Sequence, residues 1–179
     1  MGYDNKLLRS FTDMAKANPK RVVFAEANHI NMLKAAAEAK AEGVCQPVLL
    51  GNWDYLHKLA GDENINLDGI EIINMRSDAE TDRRHRYARI LSKKREREGV
   101  TYSEACEIMF DRNAFGMMMV ETGDADAFIT GVYSRYSEIT EMAEQIIGIR
   151  APYKHFGAMH IISGKKGTFF MSDTLLSLI

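Results

Sequence analysis

The chain has 179 residues, 46% of them hydrophobic and 27% charged, with a formal net charge of −2. That is enough for one sizeable core, or for one domain and part of another. The near-neutral balance supplies no global field for nucleic acid or an anionic membrane surface, and no apolar run approaches the roughly 20 residues that cross a bilayer. Met1 to Lys6 lacks the apolar stretch of a secretory signal, and Lys6 stands where a myristoylation pattern needs Ser or Thr. Cys45 and Cys106 have no metal-ligand spacing and read as two reduced, buried thiols of a cytoplasmic protein. The 11 methionines are scattered, and Met117-Met118-Met119 reads as core filling.

Leu7, Leu8, Phe11, Met14 and Ala15 recur at helical spacing, which predicts an amphipathic helix over 5–18, ended by Asn18-Pro19. Arg21 to Ala25 is a β-branched and aromatic run, hence a buried strand. An alanine-rich helix is expected from Ile30 to Glu42, stopped by Gly43, then a strand over 46–51 and a short helix over 53–60. Gly69 to Asn74 reads as a third strand, and Ala79 to about Glu98 as a long helix broken by Gly99. Thr101 and Glu104 have the spacing of a capping box, opening helix that runs through Phe110 and resumes to Thr122. After the turn at 123–126 come a strand at 127–131 and a helix at 135–147, ended by Gly148. Gly157–Ser163 and Thr168–Met171, joined by Gly164-Lys165-Lys166-Gly167, read as a β-hairpin. The alternation implies an α/β fold: a three-layer, mostly parallel sheet with helices on both faces, plus a C-terminal β-hairpin. The best boundary follows Gly148, dividing the chain into 1–148 and 149–179.

Four places could carry chemistry. Glu26 and His29 follow the first strand, where parallel sheets gather ligands, although Asn28 reads better as the cap of the next helix. Arg83, Arg84, Arg86, Arg89, Lys93, Lys94, Arg95 and Arg97 could meet phosphates or RNA. They surround the helix, however, and a solvated surface explains them better. The third place is Gly131 to Tyr136. Gly131 permits close approach of a ligand, the following amides offer unpaired N–H groups to an anion, and Arg135 adds a charged fork. Ser134 could equally be an N-cap and Arg135 could pair with Glu138; the spacing leaves both readings open. The hairpin lysines, Lys165 and Lys166, read as solubilising. No Walker loop, G-x-G-x-x-G, H-E-x-x-H or G-x-S-x-G is present, and the five histidines show no pair at zinc spacing.

Arg21 to Glu26, Gly43 to Gly51, Gly116-Met117-Met118-Met119-Val120 with Gly123-Asp124-Ala125-Asp126, Gln145 to Gly148, and Phe169 to Asp173 form an ordered set. That set resembles the phosphate acetyl/butyryl transferase family across nearly the whole chain. The resemblance implies two α/β domains around a cleft, of which this chain is a fragment, with 149–179 opening the second. It implies exchange of an acyl group between coenzyme A and inorganic phosphate, with no protein-held metal. Where the family carries His-Ser-Thr this chain has Ser134-Arg135-Tyr136, and Glu141 stands where active members carry arginine. The family's later catalytic Ser-Arg and Asp have no counterpart before Ile179, so no catalytic residue is assigned. The Arg-Tyr pair resembles the transferase-like domain of NADP-dependent malic enzymes. That likeness implies a regulatory and oligomerisation domain, with acetyl-CoA or phosphate as the expected ligand at Gly131, Ser134, Arg135 and Tyr136. NADP and a divalent metal would belong only to the parent's malic-enzyme domain. A homo-oligomer is expected, with neither nucleic acid nor membrane as partner. The alternative is an acyltransferase acting on CoA and phosphate.

Overall fold

The computed structural model describes residues 6–154, 156–164 and 167–172. The elements run α1 (Lys6–Ala17), β1 (Lys20–Phe24), α2 (Ile30–Ala41), β2 (Cys45–Leu50), α3 (Trp53–Asp62), β3 (Glu71–Ile73) and α4 (Thr81–Lys94). Then come α5 (Tyr102–Ile108), α6 (Arg112–Glu121), β4 (Ala127–Ile129), α7 (Tyr136–Ile146), β5 (Met159–Gly164) and β6 (Gly167–Ser172). Strands β3-β2-β1-β4 form one parallel sheet in that order, and β5 pairs antiparallel with β6.

Alternation along the strands builds the two faces. Val22 and Phe24 of β1 and Leu49 of β2 join Leu33, Ala36 and Leu56 in a core under α2 and α3. Val23, Val48 and Leu50 point the other way, into a larger core with Tyr87, Leu91, Phe115 and Met118 from α4 and α6. Met117, Met118 and Met119 are all buried, as core filling requires. Gly43, at φ +73, ends α2: its N–H donates to Lys40 O and the Val44 N–H to Ala39 O. An L side chain rarely tolerates that left-handed turn. The capping box forms, with Thr101 Oγ1 accepting from Glu104 N at 3.2 Å and Glu104 Oε2 accepting from Thr101 N at 2.8 Å.

Two expectations change. The long helix over 79–98 is shorter: 3-10 turns at Asp78–Glu80 and Glu96–Glu98 flank α4. The strand expected over 127–131 stops at Ile129, because Thr130 and Gly131 leave the ladder: the Thr130 hydroxyl donates to Asn113 and the Gly131 amide to Glu26. Within the hairpin, Ile161, Phe170, Ile162 and Phe169 are all exposed, and they occupy both faces of the ribbon.

Candidate functional site

From β1 the chain moves outward through β2 to β3, then crosses back and lays β4 on the other flank of β1. The carboxyl ends of β1 and β4 are therefore the point where the winding reverses, which is where open parallel sheets leave a ligand crevice. Two segments meet there: Ala25 to His29 after β1, and Thr130 to Ser134 after β4.

The crevice is organised around the Glu26 carboxylate, which is only 1% exposed. Oε2 accepts from the amides of Gly131 at 3.0 Å and Val132 at 2.5 Å. The Tyr133 N–H points between the oxygens, 3.2 Å from Oε1 and 3.3 Å from Oε2. Oε1 accepts from the Ser134 amide at 3.0 Å and its hydroxyl at 2.8 Å. Consecutive backbone N–H groups curled round one anion form a nest, and the positive φ of Gly131, +110, makes the curl possible. Burial pushes the Glu26 carboxyl up, but the Val132 amide, the Ser134 hydroxyl and the Tyr133 and Ser134 amides more than cancel this, holding it below the ordinary value of 4.5.

A second ring of contacts locks the nest. Asp111 caps α6 by accepting from the amides of Asn113 and Ala114, which places Asn113 in the first helical turn. The Asn113 side chain, 7% exposed, donates to Ser134 Oγ at 3.0 Å and accepts from Thr130 Oγ1 at 2.8 Å. Arg112 donates to Asn28 Oδ1 at 2.6 Å, and the His29 ring meets Tyr133 edge-on at 5.2 Å. Asn28 is therefore not the cap of α2; His29 is, its ring nitrogen accepting from Asn31 N. Asn28 turns instead toward the cation that α6 brings over it.

Beside the nest lies an open groove of about 660 Å³, walled by Met117, Phe128 and Ile139, with Gly131, Ser134 and Tyr136 at its rim. Three of the four residues singled out in the sequence thus share one lip. Arg135 is outside the lining: its side chain is 83% exposed, 3.8 Å from Glu138. Arg135 is the N-cap residue of α7, without a side-chain cap bond, so Ser134 is not the cap. The amides after Gly131 were expected to be unpaired, and they are not, because Glu26 reaches them first. Sequence reasoning placed Glu26 at the strand end but missed this contact, as well as Asn113; the only signal available was an acidic residue inside a buried strand end.

The basic helix has one buried cation and a mostly exposed remainder. Arg84, 8% exposed, donates to Met75 O, Ser77 O and Thr81 Oγ1 and lies over the Phe110 ring. Arg83 pairs with Glu80, Arg86 with Asp124, and Arg95 with Glu98, while Lys94 reaches Glu121 and the end of α7. Arg84 alone among these cations is buried; Arg86, Arg89, Lys93, Lys94 and Arg97 are exposed, so the solvated surface expected from the sequence holds for most of them, with Arg86 and Lys94 also paired. Both cysteines are free and half-buried. Among the described residues no group of three or more His, Cys, Asp or Glu could hold a metal, and no helix is long and apolar enough to cross a membrane. Lys165 and Lys166 lie outside the described residues.

A doubly wound parallel sheet with a filled crevice at its switch point defines a class of α/β domain. The profile of the phosphate acetyl/butaryl transferase family matches residues 6–178, and the chain belongs to that family. It is 30% identical over 173 residues to a phosphate acetyltransferase of Thermoanaerobacterium thermosaccharolyticum, covering 93% of this chain and 51% of that protein. It is 29% identical over 170 residues to an NADP-dependent malic enzyme of Rhizobium meliloti, covering 93% of this chain and 22% of that protein. The fold matches the EutD phosphotransacetylase from Staphylococcus aureus with a TM-score of 0.81 at 24% identity, over 96% of this chain and 51% of that one. The chain therefore spans about half the length of the phosphate acetyltransferase it matches, and less of the malic enzyme.

Proposed function

We propose that this chain is the transferase-like region of an NADP-dependent malic enzyme, where it serves as an acetyl-CoA-responsive regulatory and oligomerisation module. The observation that carries this reading is the charge arrangement along α7. Arg135 extends into solvent beside the groove rim, where it can meet a phosphate of coenzyme A. Glu141, exposed further along the helix and accepting from Gln145 Nε2 at 3.3 Å, is the residue standing where the resemblance implies an arginine in active members. A carboxylate there repels inorganic phosphate rather than holding it as a substrate. Residues 149–179 would open a second subdomain, and the exposed Phe169, Phe170 and Met171 support burial against more protein.

The alternative reading, acyl exchange between CoA and phosphate, is favoured by the phosphate acetyltransferases among the relatives at the same level of identity. Purified full-length protein decides between the two. Malate-dependent reduction of NADP that responds to acetyl-CoA, without phosphate-dependent CoA release, is expected. CoA release that requires phosphate, without NADP reduction, overturns the proposal.

A further inference from the structure

We propose that Glu26 is a positioning residue of this ligand site: its carboxylate takes the place of an external anion in the crevice between β1 and β4, and so fixes the loop that presents Ser134 and Tyr136 to the groove. The inference rests on the proposed function only in assuming that a ligand meets that rim. Three observations carry it. The crevice is the switch point of the sheet, the general ligand position of open α/β folds. It contains an anion-binding nest of four consecutive amides and a hydroxyl, and the anion inside is the chain's own. The Ser134 hydroxyl that donates to Glu26 also accepts from Asn113, so the carboxylate, the loop and α6 form one network whose far end is Thr130 at the groove.

The consequence concerns specificity. Inorganic phosphate cannot use the backbone nest while Glu26 fills it. Any anion recognised here must be held from outside, by the side chains and the first turn of α7. A shape-conserving change at Glu26 should therefore loosen residues 131–134 and weaken a ligand bound at the rim, although Glu26 itself, buried beneath the loop, does not touch that ligand.

The test uses the full-length protein and its Glu26→Gln and Glu26→Ala variants. Hydrogen exchange is followed over residues 131–134, with and without inorganic phosphate, and acetyl-CoA affinity is measured by calorimetry. In the wild type, exchange should be slow and indifferent to phosphate. In Glu26→Gln it should accelerate about tenfold or more, because the amide group offers one acceptor where the carboxylate offers two. In Glu26→Ala, phosphate should enter the vacated nest and slow exchange again. Acetyl-CoA should bind the Gln variant about tenfold more weakly. If Glu26→Ala fails to fold, the Gln variant, which keeps the volume, still answers. Unchanged exchange in Glu26→Gln, or a wild-type loop that responds to phosphate, overturns the proposal, as does faster exchange with unchanged acetyl-CoA affinity. A wild type that binds no acetyl-CoA defeats the proposed function instead, and the contrast in exchange and phosphate then decides the role of Glu26 separately.

Discussion

Lys94 Nζ lies 2.6 Å from the carbonyl oxygen of Ile146, so a side chain of α4 closes the C-terminus of α7. The same ammonium donates to Ile147 O at 2.9 Å and to Glu121 Oε1 at 2.6 Å, tying α4, α6 and α7 at one point. A cation at a helix C-terminus meets both the unsatisfied carbonyls and the negative end of the dipole. Lys94→Met keeps the apolar stem and removes the charge. With a third of the side chain exposed, water partly replaces the lost bonds. The expected loss is about 1–2 kcal/mol, read as a lower urea midpoint with unchanged slope. An unchanged midpoint would show that the tripod contributes nothing to stability.

Gly116 is where α6 touches the sheet. A Cβ there would come within 2.6 Å of the Phe128 ring and 3.3 Å of Leu50 Cδ1. Alanine is the better helix former by about 1 kcal/mol, but overpacking a tight core costs about 1–3 kcal/mol. Gly116→Ala should therefore be neutral to destabilising by about 2 kcal/mol, and should push Phe128 toward the groove it walls. Thermal unfolding reads the first effect and acetyl-CoA affinity the second. A stabilised variant with unaltered binding would mean that the ring yields freely in another direction.

The held-down Glu26 carboxyl also makes stability depend on pH. Its folded pKa lies below its unfolded one, so the charged form is the one the native state favours. The contribution is fully present above the unfolded value of 4.5 and is lost as pH falls through the folded value. All the polar groups touching the carboxylate are amides and a hydroxyl of residues 131–134, none of which titrates in this range. Denaturant unfolding between about pH 6 and pH 3 should show a steeper loss in the wild type than in Glu26→Gln. Parallel curves for the two proteins would assign the acid sensitivity to other carboxylates.

Periodicity in the sequence was sufficient for the sheet and its two faces. The run Val22-Val23-Phe24 is apolar on both sides, which only a strand covered twice requires, and Gly43 and Gly148 end α2 and α7 where expected. The candidate site was half legible. Gly131, Ser134 and Tyr136 share a lip because they are neighbours in sequence, and local spacing reports such neighbours well. What spacing could not report is the partner of their amides, because Glu26 Oε1 and the Ser134 hydroxyl are 108 residues apart along the chain. Asn28 was misread as a cap for the same reason: its real partner, Arg112, comes from α6, 84 residues away. The cations of α4 are largely the solvated face that their spacing suggests, but the partners Asp124 for Arg86 and Ile146 for Lys94 belong to later elements and were not legible from spacing.

Arg135 offers the cleanest separation of binding from folding. Its side chain is 83% exposed and its ion pair with Glu138, whose side chain is 63% exposed, spans 3.8 Å. Exposed pairs of this kind are worth little, so Arg135→Ala should change stability by no more than about 0.5 kcal/mol. The nest below is unaffected, because Arg135 donates none of its bonds. If a phosphate of acetyl-CoA docks beside the groove rim, losing its charged hydrogen bonds removes about 1.5–3 kcal/mol, or roughly tenfold to a hundredfold in affinity. Calorimetry on the full-length protein should show that loss with an unchanged melting temperature. Raising the salt concentration should weaken the wild type more than the variant, since screening acts on the charge the variant has already lost. Equal affinity in both proteins, at low salt as well as high, would place the acetyl-CoA site away from this rim.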